Sequence, residues 1–130
     1  MKINEIFYSL QGEGLWTGIP NIFIRTTGCN LRCSYCDTKY AYYDGIEIKI
    51  DNIIKNIKKH HCKNICITGG EPLLQEDIYE LIDNLIKNDY QICIETNGSI
   101  SIDRLSKINN LLISLDIKCP SSNMHKKNIL

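Results

Sequence analysis

The sequence lacks an excess of charge of either sign, with 15 lysines and arginines against 15 aspartates and glutamates. Without a net positive field there is no global attraction to nucleic acid or to a membrane surface. The basic pairs Lys58-Lys59 and Lys126-Lys127 read as solvated surface. Long apolar runs are missing too, and those present are far too short to cross a bilayer. No secretory leader is expected, because Lys2, Asn4 and Glu5 interrupt the opening before an apolar segment can form. The compartment this implies is the reducing cytoplasm, where clustered cysteines bind metals or catalyse rather than pair as disulfides. Repeats, low-complexity tracts and linkers are also lacking. What remains is one modest domain over residues 1–130, with a single core and an ordinary globular balance of apolar and charged residues.

Seven cysteines are present, an odd number that argues against a closed disulfide framework. Three of them fall in Gly28-Cys29-Asn30-Leu31-Arg32-Cys33-Ser34-Tyr35-Cys36-Asp37-Thr38, at spacings of four and three. A closed structural zinc site takes four protein ligands. Three thiolates leave one corner open. They can hold zinc with a ligand from elsewhere, or a [4Fe–4S] cluster whose fourth iron takes a non-protein ligand. Soft thiolates suit either metal. The nearby candidates for a fourth ligand, Cys62 and Cys66 with His60 and His61, are expected at the far end of the next strand. Spacing and position therefore favour the cluster.

The order of elements predicts where these residues lie. Asn21 to Thr26 reads as a buried strand, with the cysteine loop following it. Asp51 to His60 reads as a helix with Asp51 as N-cap and Ile53, Ile54 and Ile57 on one face. Asn64 to Thr68 is a second strand, running into Gly69-Gly70-Glu71-Pro72. Gln75 to Asn88 is a helix with a stripe of Ile78, Leu81, Ile82, Leu85 and Ile86. Gln91 to Thr96 and Leu111 to Asp116 are further strands, separated by a short helix over Asp103 to Ile108. Alternating strands and helices predict an α/β fold of βαβ units with a parallel sheet. In such folds the ligand site lies at the C-terminal ends of the strands. Each unusual motif sits at such an end, so the motifs are expected to converge on one rim. Cys66 and Cys93, inside strands, read as small core residues.

The cysteine spacing, with Tyr35 before the last cysteine, resembles the signature of the radical S-adenosylmethionine (SAM) enzymes. Gly69-Gly70-Glu71-Pro72 resembles that superfamily's glycine-rich segment, although alone it would read as a plain strand-to-helix turn. A narrower resemblance is to the 7-carboxy-7-deazaguanine synthase family. It rests on Asn4 to Gly14, Thr17-Gly18-Ile19-Pro20, Phe23-Ile24-Arg25, Cys36-Asp37-Thr38, Glu95-Thr96-Asn97-Gly98-Ser99 and Asp116 to Ser122. It extends from Asn4 to about Asn123. What it implies is a partial radical SAM (βα) barrel in which Cys29, Cys33 and Cys36 hold three irons and SAM chelates the fourth. The implied reaction converts 6-carboxy-5,6,7,8-tetrahydropterin to 7-carboxy-7-deazaguanine with release of ammonia, in 7-deazapurine (queuosine or archaeosine) biosynthesis. A 5′-deoxyadenosyl radical takes hydrogen from the pterin, the ring contracts and SAM is regenerated.

By the same resemblance, Tyr35, Cys36, Asp37 and Gly70 meet SAM, with Asp116, Ile117 and Lys118 completing that site. Leu10, Gln11, Gly12, Arg25, Thr68 and Glu95 contact the pterin, and Arg25 and Glu95 are the implied catalytic pair. Arg25 offers a planar fork of donors to the substrate carboxylate; its plainer alternative is a rim ion pair. Thr38 binds Mg²⁺, a hard ion that takes oxygen ligands; its plainer role is to cap a turn. The implied partners are an electron donor such as flavodoxin or ferredoxin, and a second chain forming a homodimer or supplying a complementing C-terminal part. Four βα units are visible where the family's sheet has about six strands. A C-terminally incomplete core, with full turnover needing the remainder, is therefore the expectation. Competing functions are a glycyl-radical activase of the same superfamily, a non-catalytic zinc or cluster module, and an inactive fragment.

Overall fold

The computed structural model describes residues 1–129. Its centre is a six-stranded sheet in the order β3-β1-β2-β4-β5-β6. The strands are β1 (Lys2–Leu10), β2 (Pro20–Thr26), β3 (Ile46–Glu47), β4 (Asn64–Gly69), β5 (Gln91–Thr96) and β6 (Leu111–Leu115), with helices α1 (Ile50–Ile57) before β4 and α2 (Ile78–Lys87) before β5. Strands β2, β4, β5 and β6 pair in parallel, as the alternating pattern predicts. The sheet is nonetheless mixed. β1 runs antiparallel to β2 along its whole length and also pairs with the two-residue β3. The sheet thus reaches six strands by adding two antiparallel strands at one edge, and β6 forms the other.

Strand alternation divides the sheet into two unlike faces, because successive side chains point to opposite sides. Ile22 and Ile24, Ile65 and Ile67, and Ile92 and Ile94 are buried against the helices, which contribute Ile50, Ile53, Ile54 and Ile57 from α1 and Ile78, Leu81, Ile82 and Leu85 from α2. Each fully buried isoleucine or leucine contributes about 1.5–3 kcal/mol relative to exposure, so this layer carries most of the stability. The intervening residues form the opposite, helix-free face. Phe23, Cys66, Cys93 and Leu112 stand in one register row, and one step further along are the pairs Arg25 with Thr68 and Glu95 with Ser114. Cys66 and Cys93 are buried, in keeping with their reading as core residues.

Three local expectations need correction. Helix α1 begins at Ile50 after Lys49, so Asp51 lies in its first turn and is not the N-cap. There its charge favours the positive end of the helix dipole. α2 starts at Ile78, because Pro72–Leu74 forms a separate 3-10 turn and Gln75 is extended. Between β5 and β6 there is only a 3-10 turn at Leu105–Lys107, whose buried Leu105 fills the space expected of a helix. Among the described residues, no helix is long and apolar enough to cross a membrane.

Candidate functional site

One cavity of about 480 Å³ opens on the helix-free face at the C-terminal ends of the parallel strands. This is within the roughly 300–1,000 Å³ of sites that enclose a small molecule. Cys29, Cys33 and Cys36 all border it. Their loop leaves β2 through Gly28, which has φ of 102°, a value a side chain would strain. A backbone turn from Cys36 N–H to the Cys33 carbonyl folds its far end. The three thiols are free and partly exposed. Burial pushes the Cys33 thiol up, against the opposing pull of the Lys118 ammonium. Burial and the neighbouring Cys36 push the Tyr42 hydroxyl up to about 12. Cys62 lies at the other end of the sheet, its thiol facing the Pro20 carbonyl where β2 begins. Among the described residues, no three histidine, cysteine or acidic side chains converge on a single-ion position.

Below the cysteine loop the cavity has a polar wall. Glu95, at the end of β5, is held from two sides: Gln11 Nε2 donates to its Oε1 at 3.0 Å and Thr68 Oγ1 to its Oε2 at 2.8 Å. Gln11 is 5% exposed, and its amide is fully engaged. Nε2 also donates to Cys66 Sγ at 3.3 Å, while Oε1 accepts from the backbone N–H groups of Gly12 and Glu13. Arg25 donates through Nε to Glu5 Oε1 at 2.8 Å and packs near the rings of Phe7 and Tyr40. It is thus the ion pair that the plainer reading allowed. Its two terminal nitrogens make no hydrogen bond among the described residues, so the fork suited to a carboxylate is not consumed by Glu5. Glu13 adds a further carboxylate to this wall. Its acidity is weakened first by the charge of Glu95, then by burial, Asp116 and Asp37.

The glycine-rich turn ties the two ends together. A side-chain carbon on Gly70 would collide with the Gly28 carbonyl oxygen and stand 2.9 Å from Cys29 Cβ, so only glycine lets this backbone pass the cysteine loop. The next residue, Glu71, is completely buried. Its Oε1 accepts from Leu73 N at 3.0 Å and Thr96 Oγ1 at 2.8 Å, and its Oε2 from Asn97 N at 2.7 Å. Burial pushes its carboxyl above the usual carboxylate range, against the pull of those three donors. Asn128 clips the other side: its amide bridges the carbonyls of Asn97 and Asp116 and accepts from Lys118 N. The Ser121 and Ser122 carbonyls meanwhile accept from Ser34 in the cysteine loop.

Of the candidate residues named from sequence, Leu10, Gln11, Gly12, Arg25, Thr68 and Glu95 line the cavity. So do Tyr35, Asp37, Thr38, Gly70, Asp116 and Lys118. Ile117 does not, and its side chain is 66% exposed. Asp116 and Lys118 flank it as an ion pair at 2.7 Å, and Thr38 Oγ1 donates to Asp37 Oδ1 at 2.6 Å. Glu13, Glu71, Asn97 and Asn128 had no role in the sequence reading. The first three lie inside quoted motifs, so position was the available signal, whereas Asn128 carried none.

Residues 23–129 match the family model described as the radical SAM superfamily. A 7-carboxy-7-deazaguanine synthase from Methanospirillum hungatei is 49% identical over 123 residues, covering 94% of this chain and 52% of that protein. One from Thermoplasma acidophilum is 41% identical, covering 97% of this chain and 60% of its own length. A solved structure, described as the crystal structure of QueE from Escherichia coli, matches with a TM-score of 0.79 at 29% identity, over 90% of this chain and 60% of that one. The chain thus spans about half the length of the curated relatives it matches.

Proposed function

Because the chain belongs to the radical SAM superfamily, we propose that it carries the cluster and SAM centre of a 7-carboxy-7-deazaguanine synthase, acting on 6-carboxytetrahydropterin. The observation that supports this most is the sharing of one cavity by two unlike walls: three thiols in a short loop, and a carboxylate held by Gln11 and Thr68 beside a half-free arginine. Cys29, Cys33 and Cys36 would hold the [4Fe–4S] cluster. The donor set fits it, being three soft thiols on one short loop that all border the cavity. When bound, the cluster and SAM supply a carbon radical that removes a hydrogen atom from the substrate.

The chain's own residues bind, orient and shield. Arg25 would present its terminal nitrogens to the substrate carboxylate, with the stacked Phe7 and Phe23, 4.9 Å between ring centres, forming an apolar floor nearby. Glu95 would accept from the pterin's amino and ring N–H groups, each of its oxygens keeping a free lone pair. Gln11 and Thr68 fix the Glu95 rotamer, which spares the entropy of ordering it when substrate arrives. Leu10 and Gly12 border the pterin through the strand end, while Tyr35, Cys36, Asp37, Gly70, Asp116 and Lys118 would border SAM. Thr38, whose hydroxyl hydrogen goes to Asp37, keeps oxygen lone pairs for Mg²⁺. A low-potential electron donor is required. The half-exposed edge strand β6 would be covered by a second copy of the chain or by a complementing C-terminal part, since an open apolar edge invites pairing.

The test is anaerobic reconstitution with iron and sulfide, followed by SAM, Mg²⁺, a reductant and 6-carboxytetrahydropterin, with products read by mass spectrometry. Formation of 7-carboxy-7-deazaguanine supports the full reading. Cleavage of SAM to 5′-deoxyadenosine without that product keeps the SAM centre and overturns the substrate. Uptake of one zinc per chain with no acid-labile sulfide overturns both.

A further inference from the structure

We propose that Asn97 is a positioning residue for the cluster: its side-chain amide donates an N–H···S hydrogen bond to Cys29 and raises the potential at which the cluster accepts an electron. This rests on the reading of Cys29, Cys33 and Cys36 as cluster ligands, and it adds a residue of the cavity wall that acts on the cluster through Cys29.

The geometry leaves Asn97 little choice. Its backbone N–H is held by Glu71 Oε2 at 2.7 Å, and its carbonyl accepts from Asn128 Nδ2 at 3.0 Å. Its side-chain Oδ1 accepts from the backbone N–H of Ser99 at 2.9 Å. A backbone N–H is only ever a donor, so the atom facing it is the oxygen and the amide orientation follows. Nδ2 therefore points the other way, to Asn30 Oδ1 at 3.2 Å and Cys29 Sγ at 3.7 Å. Asn97 is 7% exposed, so water competes little for this bond.

The three thiols are not equivalent. Cys29 Sγ receives two N–H groups, from Leu31 N at 3.4 Å and from Asn97. Among the described residues, neither Cys33 nor Cys36 receives any; the Cys36 thiol instead neighbours the Tyr42 hydroxyl. The Leu31 bond lies within the loop and accompanies any loop of this shape. The Asn97 bond comes from the end of β5, 68 residues away in sequence, and a side-chain change removes it. Adding an electron to an iron–sulfur cluster puts more negative charge on its sulfurs. Donors to those sulfurs stabilise the reduced form and make reduction easier.

The experiment compares wild type, Asn97→Ala and Asn97→Asp, each reconstituted anaerobically. Midpoint potentials are read by electron paramagnetic resonance during redox titration without SAM, beside iron and sulfide per chain and far-ultraviolet circular dichroism. The expected result is a shift to more negative potential in N97A, and a larger one in N97D, which sets a carboxylate oxygen against the sulfur. Cluster content and fold are expected to stay at wild-type level. Equal potentials in all three proteins overturn the proposal. Should a variant lose cluster or fold, a second measurement on wild type decides. With asparagine labelled with ¹⁵N at its side-chain amide, pulsed resonance of the reduced cluster is expected to show a coupled amide nitrogen, and its absence overturns the proposal. A wild-type chain that takes up no acid-labile sulfide overturns the cluster reading itself, and this inference with it. That outcome is distinct from a normal cluster with an unmoved potential.

Discussion

Replacing Glu71 by glutamine removes one charge and one hydrogen-bond acceptor from the middle of the rim, and its cost can be worked from three distances. Oε1 serves Leu73 N and Thr96 Oγ1, and Oε2 serves Asn97 N. The introduced amide keeps one oxygen for the first pair and turns an NH₂ toward Asn97 N–H, so two donors face each other. A hydrogen bond to a charged acceptor contributes about 1.5–3 kcal/mol and a stranded buried donor costs about 1–3 kcal/mol. Against this, a neutral amide is easier to bury than a carboxylate whose acidity burial already weakens. The net expectation for E71Q is a loss of about 1–2 kcal/mol, which with a urea slope near 2 kcal/mol per molar lowers the midpoint by roughly 0.5–1 M. Glu71→Ala strands all three donors at about 1–3 kcal/mol each, approaching the whole stability of a small domain. The assay is urea unfolding followed by circular dichroism at pH 7 under reducing conditions. An E71Q midpoint equal to wild type, or an E71A chain no weaker than E71Q, refutes the view that this carboxylate pins β4 to β5.

Three further outcomes follow from the site. Gly70→Ala, whose new carbon collides with the Gly28 backbone, is expected to lose about 1–3 kcal/mol of stability through overpacking and to take up less iron and sulfide on reconstitution; normal cluster content would show that the turn can yield. Glu95→Gln weakens charge-assisted bonds of about 1.5–3 kcal/mol to substrate, so product formation is expected to fall about 10- to 100-fold, with less effect on SAM cleavage without substrate. Equal loss of both would place Glu95 elsewhere in the mechanism. Glu13→Gln tests the electrostatics of the wall. Because the folded protein holds the Glu13 carboxyl above its ordinary 4.5, its contribution is complete below that value and is lost as pH rises through the raised one. E13Q, which carries no charge there, is therefore expected to be more stable than wild type at pH 7 and equal to it below pH 4.5, read by thermal melting across pH. A variant less stable at pH 7 would refute the repulsion.

The parallel half of the fold was legible because its two periodicities are strong. Isoleucines at every second place in Asn21 to Thr26, Asn64 to Thr68 and Gln91 to Thr96 mark strands, and the stripe from Ile78 to Leu85 marks a helix. β1 was not legible as a strand. Its Lys2, Asn4 and Glu5 interrupt the apolar pattern, and its pairing shifts between Ile3 and Glu5. What holds it in the sheet is the backbone ladder to β2, which leaves no trace in composition, together with the single buried side chain of Ile3. The stretch before Ile108 failed for the opposite reason. Asp103 to Ile108 has apolar residues at helical spacing, but after Leu105 the chain reaches Asn110 at a φ of 62° and enters β6 before a second turn can form.

The site was legible by motif more than by geometry, and strand alternation explains what the motifs could not convey. In each parallel strand the isoleucines face the helices, so the residues between them must face the other way: Phe23 and Arg25, Cys66 and Thr68, Cys93 and Glu95. Arg25, Thr68 and Glu95 are each the last such residue before their strand ends. A parallel sheet with one oily face therefore delivers three polar side chains to one wall without any loop having to aim them. The loops then need only bring the thiols over the top, which Gly70 permits by lacking a side chain where its backbone passes Gly28, and Gly28 by taking a positive φ. On this view Gln11 is bound more to Glu95 than to any incoming molecule, since its amide has no unused hydrogen bond of good geometry to offer. A residue so fully engaged can shape a site only through its neighbours. The same logic applies to Asn97 at the other end of the wall, where a satisfied amide reaches Cys29. The polar residues of this rim divide accordingly into those whose hydrogen bonds are spent within the protein, Gln11, Glu71, Asn97 and Asn128, and those that retain capacity for a ligand, Arg25, Thr68 and Glu95.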